Sequence, residues 1–437
     1  MAMSKILLIS RTGFSDQEAN GITMKVLLSA WHSDEKAVFY CDVQPPDFSA
    51  ACECFRTTDM DMLKAFVRKG RGKAFSESDA QETVSCRQTT DAKLKSAVPK
   101  SVPKWMKQRK YDFRLKWLRE ILWSVSPWGH RKLEKWIDKV SPDAVIYMVG
   151  ESIYLDKLVL HICQKRNLPL VLYNCEAFRL IDIQRRKGLE RKYYKYIKRL
   201  YAKLNRLACF AIYNCEMLKE GYEQAYSSCP PSMVAYNSSD IGSEEYRAQG
   251  KPVITYFGNL GVGRTDSLIK MAKVLSEIDS TFHIDVYGKA RQSDEDLIHQ
   301  QKNLSYHGFI SAEKLQAVID HSDILLHTES FQPDIAEKLQ YAFSTKIAQC
   351  LHAGRCLLSY IPKESASAQY LLKEECAVVA TNEIELKEAW KLLLFDSQKR
   401  TEYAEAAREI GEKNHDAEIT SKHVRTSIES AISKANS

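Results

Sequence analysis

The stretch that most restricts the fold runs from Ser322 to Tyr360, SDILLHTESFQPDIAEKLQYAFSTKIAQCLHAGRCLLSY. It reads as strand, loop, helix, small-residue turn and strand. Asp323–His327 carries a short apolar run of the kind that a parallel sheet buries on both faces. The loop after it holds Glu329, Pro333, Asp334, Glu337 and Lys338. Ser344 and Thr345 fit a helix N-cap with Lys346 in the first turn, and Ala353–Gly354 fits the end of that helix. Leu357–Tyr360 starts the next strand. Open α/β sheets bind ligands beyond the carboxyl ends of their strands, where helix N-termini point. Two hydroxyls, a lysine and free backbone N–H groups there make an anion seat. An ordinary βαβ unit with a capped helix satisfies the same spacing.

At 437 residues the chain is too long for one typical domain and suits two of roughly 200 each. A hydrophobic content of 44% and a charged content of 27% let both halves build packed cores. The twelve cysteines form no CxxC pair and no zinc-type spacing with histidine, which points to free thiols in a reducing compartment. No apolar segment approaches the length of a membrane span, and KILLIS at the N-terminus is too short for a signal-peptide core. The net charge of +7 is concentrated: Arg185–Arg206 alone carries ten Lys/Arg against Glu190. That local origin argues against a general nucleic-acid binder.

Taken in order, Lys5–Ser10 reads as a first strand. A loop with Gly13 and Gly21 follows, then a helix over Ile22–Trp31. A glycine-bearing loop between strand and helix suits a phosphate, and equally a plain surface loop. Residues 44–103 read as irregular apart from a helix over Asp59–Arg68. The DxD patterns at Asp59 and Asp294 read as solvated helix faces. In the Trp-rich Lys104–Trp123 segment, Tyr111, Leu115, Leu118, Leu122 and Val125 keep helical spacing, which predicts a core-packed stripe, with interfacial membrane contact as a second use. Asp143–Val149 and Leu170–Tyr173 read as buried strands, with Glu151 beyond the first and Asn174 and Glu176 beyond the second. Leu189, Tyr193, Ile197, Leu200, Leu204 and Leu207 make an amphipathic helix whose opposite arc is basic. That arc is a solvated face or a contact for anionic lipid headgroups, with Tyr194 and Tyr201 on its flank. The polar run 241–252 is the expected linker. A second βαβ series occupies 253–395, and a long helix over Gln398–Ala431 closes the chain.

At Gly258-Asn-Leu-Gly-Val-Gly-Arg264, and again at Ser344-Thr-Lys-Ile-Ala-Gln-Cys-Leu-His-Ala-Gly354, the sequence resembles the GT-B glycosyltransferases, most closely the retaining, family-4-like group of bacterial surface polysaccharide synthesis. VAYNSSD, LSYHGFIS and SDILLHTES resemble further elements of that group in the expected order. The resemblance implies an α/β fold of two Rossmann-like domains facing a cleft: an acceptor-binding domain over 1–240, a linker over 241–252 and a nucleotide-sugar domain over 253–395. A terminal helix over 396–437 would cross back to the first domain. It implies transfer of a sugar from a UDP- or GDP-type donor to a saccharide or polyprenyl-linked acceptor, in surface polysaccharide biosynthesis, with retention of configuration. The chain departs from the group at three places. Asn259 stands at the loop arginine position, with Arg264 at the lysine position. Gln349 replaces a glutamate that binds the donor ribose, and Cys175–Glu176 replaces a histidine.

Under that resemblance Arg264 and Lys346 are the cations for the leaving diphosphate, aided by Ser344, Thr345 and the helix N-terminus. They are expected as exposed cleft cations whose loss leaves stability nearly unchanged. Glu176 or Glu151 would meet the donor sugar or the acceptor hydroxyl. Gly13, Gly21, Gly258, Asn259, Tyr306, His307, Gly308 and Gln349 complete the expected donor contacts. No cofactor and no metal is required, and the expected place is the cytoplasm, peripheral at the inner face of the plasma membrane. Two other functions stay open: a nucleotide-sugar epimerase on the same architecture, and a degenerate, non-catalytic partner of another transferase.

Overall fold

The computed structural model describes residues 5–15, 18–67, 72–76, 113–242, 246 and 250–436. The Ser76–Thr90 run beyond Ser76, the first residues of the Lys104–Trp123 segment and half of the expected linker lie outside the described residues. Two compact units emerge. Unit 1 is residues 1–213, 220–233 and 421–437; unit 2 is 214–219 and 234–420.

Unit 1 is built on an eight-stranded sheet in the order β4-β3-β2-β1-β5-β6-β7-β8. Its strands are β1 (Ile6–Ile9), β2 (Lys36–Tyr40), β3 (Glu53–Arg56), β4 (Lys73–Ser76), β5 (Ala144–Met148), β6 (Leu170–Asn174), β7 (Phe210–Tyr213) and β8 (Ser232–Val234). β1, β2, β5 and β6 are buried along their whole length, as strands covered on both faces must be. The pairings β3–β2–β1–β5–β6–β7 are parallel; β4 is an antiparallel edge. β3 and β4 fall inside the stretch expected to be irregular. Four residues each is too short for a clear alternation.

Its helices are α1 (Ala19–Leu27), α2 (Asp59–Ala65), α3 (Phe113–Val125), α4 (His130–Val140), α5 (Ile153–Arg166), α6 (Gly188–Leu207) and, from Glu220 on, α7 (Glu216–Ala225). Three expectations need correction. Gly21 is a residue of α1, not of the loop; a Cβ there would stand 2.7 Å from the Gly13 carbonyl oxygen, so this glycine serves helix-to-loop packing. Of the expected stripe on α3, Leu115, Leu118 and Val125 face solvent, Leu122 is half-buried and Tyr111 lies outside the described residues; Ile121 is exposed beside them. The helix instead buries the arc of Glu120 and Trp123. Glu120 accepts from Ser152 Oγ (3.1 Å) and Tyr154 N (2.9 Å), and Trp123 stacks on Tyr154 at 4.2 Å. An aromatic stack with satisfied polar partners fixes the helix rotation against leucine periodicity. On α6, Tyr193, Ile197, Leu200 and Leu204 are buried as expected, but so is Tyr201, whose hydroxyl donates to Asn174 Oδ1 (2.9 Å). Leu189 is exposed, lying in the first turn ahead of the contact with Ile153.

Unit 2 carries a six-stranded sheet, β11-β10-β9-β12-β13-β14, parallel throughout. The strands are β9 (Ile254–Phe257), β10 (Ile284–Tyr287), β11 (Leu304–Gly308), β12 (Ile324–Thr328), β13 (Cys356–Tyr360) and β14 (Val378–Ala380). The helices are α8 (Arg264–Ile278), α9 (Gln292–His299), α10 (Ala312–Asp320), α11 (Pro333–Leu339), α12 (Thr345–His352), α13 (Ala366–Glu374), α14 (Glu383–Phe395) and α15 (Ser397–Asn414). Pro333 to Lys338, expected in a loop, belongs to α11, with the proline at its first turn. Asp294, expected on a solvated face, is buried and accepts from Arg291 Nε (2.8 Å).

The expected single terminal helix is two. α15 stops at Asn414 and α16 (Ala417–Asn436) follows. The break is held by His415, wholly buried. Its Nε2 accepts from Tyr370 Oη (2.9 Å) and its Nδ1 donates to the Asn237 carbonyl (2.7 Å), while Ser239 N donates to the His415 carbonyl. From Ser421 onward α16 belongs to unit 1: Ser421 Oγ donates to the Leu27 carbonyl and Arg425 pairs with Glu35 at 2.8 Å.

Burial lowers the His415 pKa to about 4. The ring is neutral in the fold and protonates near 6.5 once unfolded. Its stabilising effect is complete above about 6.5 and is lost as pH falls toward about 4, on the order of 3 kcal/mol in all. Melting curves between pH 8 and 4 should show that loss, and His415→Gln, destabilised at every pH, should flatten the slope.

Candidate functional site

The carboxyl ends of β9, β10 and β12 meet the N-termini of α8 and α12 in unit 2. Two glycines bring the backbone together there. A Cβ on Gly288 (φ +152°) would stand 1.7 Å from the Gly258 carbonyl oxygen, and one on Gly258 (φ +125°) would stand 2.7 Å from Lys346 Cδ. Gly258 therefore lies directly over the Lys346 side chain. Lys346 Nζ donates to Tyr256 Oη at 2.7 Å and sits 4.2 Å from that ring's centroid; Tyr256 Oη donates to the Asn259 carbonyl (3.1 Å).

Arg264 opens α8 and makes a two-pronged contact with Glu329, Nε to Oε2 at 2.9 Å and a terminal nitrogen to Oε1 at 3.0 Å. Ser267 Oγ donates to the Glu329 carbonyl (2.8 Å). Behind them His327, fully buried, bonds Ser359 Oγ through Nδ1 (2.8 Å), with Nε2 3.5 Å from Glu329 Oε1. The side-chain contacts of His327 and Arg264 hold Glu329 ionised against burial, at about 2. Lys346 goes the other way: burial first, then the like charge of Arg264, lowers it to about 7. The expectation of two exposed cations is thus corrected. Lys346 is buried and Arg264 is mostly covered and already paired.

Other expected donor contacts sit around this point. Tyr306 Oη donates to the Gly288 carbonyl (2.8 Å), and Gly288 N donates to the Gly308 carbonyl (2.8 Å). His307 is exposed, pairs with Asp285 (2.7 Å) and stacks on Tyr287 at 4.6 Å. Ser344 is the residue preceding α12, but its side chain caps nothing; Thr345 is exposed and Gln349 half-buried one turn on. Among the described residues, no three His, Cys, Asp or Glu side chains gather as a metal-binding group.

Unit 1 holds Gly13, Gly21, Glu151 and Glu176. The last two lie beyond the ends of β5 and β6. Burial raises Glu176 to about 7, and the charge of Glu151 adds to the shift. Lys116 of α3 pairs with Glu151 at 2.7 Å. The backbone carrying Glu176 is anchored from below: Tyr222 Oη donates to the Glu176 carbonyl (2.9 Å) and Tyr226 Oη to the Arg179 carbonyl (3.0 Å). Arg179 itself forms a fully buried pair with Asp156 (2.9 Å), to which Tyr147 Oη also donates (2.7 Å).

Sequence reasoning passed over Tyr256, His327 and Lys116, and gave Glu329 no role. Glu329 carries the signal used for Glu151 and Glu176, a carboxylate just past a strand. Tyr256 and Lys116 act through contacts distant in sequence and carry no local signal.

Residues 264–423 match the model of a family described as glycosyl transferase-like. No curated protein matches the chain. Among solved structures it is similar to Alr3699/HepE of Anabaena in complex with UDP, at 12% identity, TM-score 0.63, covering 98% of this chain and 100% of that one. It is similar to a sucrose-phosphate synthase of Thermosynechococcus elongatus (10% identity, TM-score 0.61, 99% and 100% covered). It is also similar to WaaG, a glycosyltransferase involved in lipopolysaccharide biosynthesis (14% identity, TM-score 0.54, 96% and 98% covered). The likeness establishes an α/β fold of two Rossmann-like units, the GT-B architecture, and the family match agrees with it.

Removing one partner of a buried ion pair strands the other charge, at a cost of about 3–5 kcal/mol. Arg264→Ala should therefore lower the melting temperature clearly, and adding Glu329→Gln should recover much of the loss. Unchanged melting in Arg264→Ala would contradict the pairing.

Proposed function

We propose that this chain, a glycosyltransferase of the GT-B fold, moves a sugar from a nucleoside-diphosphate donor seated in unit 2 to a saccharide or polyprenyl-linked saccharide in surface polysaccharide synthesis. The observation that carries the reading is the convergence of Arg264, Lys346, Gly258 and the α12 N-terminus at the strand ends of unit 2. Glycosyl transfer builds positive charge on the sugar and negative charge on the leaving diphosphate. Fixed cations and backbone donors in a site shielded from water stabilise that charge. Arg264 and Lys346 supply two cations, so the leaving group needs no metal partner. Retention of configuration is carried by the family resemblance.

Glu176 is our acceptor-side candidate. Near neutrality it holds a proton part of the time, so it can bind a hydroxyl or take its proton. The exposed basic arc of α6, Arg191, Lys192, Lys195 and Arg199, supports placement at an anionic membrane surface on the cytoplasmic side.

A panel of UDP-, GDP- and dTDP-sugars should contain donors that raise the melting temperature. Incubation with donor alone should give at most slow hydrolysis; conversion of the sugar would establish an epimerase instead. Lys346→Ala should lower turnover by about 2–4 kcal/mol in activation free energy, as loss of an oxyanion donor does. Near-normal turnover would remove Lys346 from the diphosphate seat. The pH–rate profile should show a limb near 7 from Glu176, and Glu151→Gln should move that limb downward by removing the like charge. A limb that stays in place would exclude Glu176 as its source.

A further inference from the structure

Two neighbouring helices of unit 1 turn apolar residues outward. On α3 the exposed residues Leu115, Leu118, Ile121 and Val125 share one face. At 100° per residue they span an arc opposite Trp123 and Glu120, which face the core. On α2 and the turn after it, Met60, Leu63, Phe66 and Val67 are exposed in the same manner, while Met62 and Ala65 are buried. The helices lie side by side: Arg119 and Trp123 of α3 both donate to Asp59 of α2, and Ser126 Oγ donates to the Met62 carbonyl. On its other flank α3 meets α6, where Trp117 packs on Tyr193 at 6.0 Å. α3 thus stands between α2, which carries Asp59, Asp61 and Lys64 beside its outward apolar residues, and the basic helix.

We infer that the outward faces of α2 and α3 form an apolar wedge that enters the headgroup region of an anionic bilayer, with the basic arc of α6 as its electrostatic partner. The inference rests on the membrane placement proposed above and adds insertion to it. Large exposed apolar patches mark interaction surfaces. The choice of lipid over protein comes from charge: Arg191, Lys192, Lys195 and Arg199 are exposed on the adjoining helix. Basic residues near an anionic leaflet attract it, and apolar side chains then gain by leaving water.

The test is sedimentation of the full chain with vesicles of phosphatidylcholine alone or mixed with phosphatidylglycerol, at low and high salt. Binding should require the anionic lipid, and a fraction should survive salt that removes purely electrostatic contacts. Leu118→Glu with Ile121→Glu should abolish that salt-resistant fraction and lower vesicle affinity at least tenfold, with melting temperature and turnover on a soluble acceptor retained. Arg191→Gln with Lys195→Gln and Arg199→Gln should remove binding at low salt. Wholly salt-sensitive binding, untouched by the Leu118/Ile121 variant, would overturn the wedge and leave the charge contact standing. No binding to either vesicle would overturn both. A dimer in light scattering that the Leu118/Ile121 variant dissociates would assign the face to a second copy and overturn the lipid reading.

Discussion

A carboxylate buried against a guanidinium fixes the strand-end cluster of unit 2. Glu329 sits just past β12, in an environment that disfavours charge, and stays ionised because Arg264 grips it with two hydrogen bonds and His327 stands behind it. The pair ties the loop after β12 to the start of α8. Ser267 Oγ on the Glu329 carbonyl makes the same connection a second time. With those two segments locked, Gly258 and Gly288 can close to a distance that admits no side chain. Lys346 is then sealed beneath Gly258, and Tyr256 becomes its polar partner.

Unit 1 follows a related plan with the signs changed. The buried pair is Arg179 with Asp156, and it sits under a segment that presents a carboxylate. Tyrosines do most of the anchoring: Tyr147 bonds Asp156, and Tyr222 and Tyr226 bond the carbonyls of Glu176 and Arg179. Each phenol satisfies one polar atom while burying a ring, which suits strand ends that need both. The outcome is an acid whose proton affinity lies near neutrality, held on a backbone that several side chains fix from below.

Much of this was legible in the sequence. The strand ends before Glu151 and Glu176 are legible from apolar runs, because a parallel sheet buries such runs whole, and the helix start carrying Lys346 is legible from Ser344 and Thr345 ahead of it. The β9–α8 loop was legible from its glycines, and Arg264 from its place after them. The failures share a cause. Glu329 and Lys116 matter through partners 65 and 35 residues away. Gly21 looked like a loop residue because its close approach to Gly13 depends on where the helix begins. The α3 stripe had correct helical spacing, yet periodicity states only that a face exists. Glu120 and Trp123, through Ser152 and Tyr154, decide which way that face turns.

Two cations crowded in one buried site repel each other, and the structure shows how unit 2 accommodates them. Arg264 cannot lose its proton at any ordinary pH, so it takes an internal counter-ion. Lys346 can, and burial beside Arg264 lowers its pKa to about 7, with the Tyr256 phenol as its hydrogen-bond partner. The cluster therefore carries less positive charge than a count of its basic residues suggests. Any anion drawn to this cluster would favour the ammonium form of Lys346, so the charge of the cluster depends on what it meets.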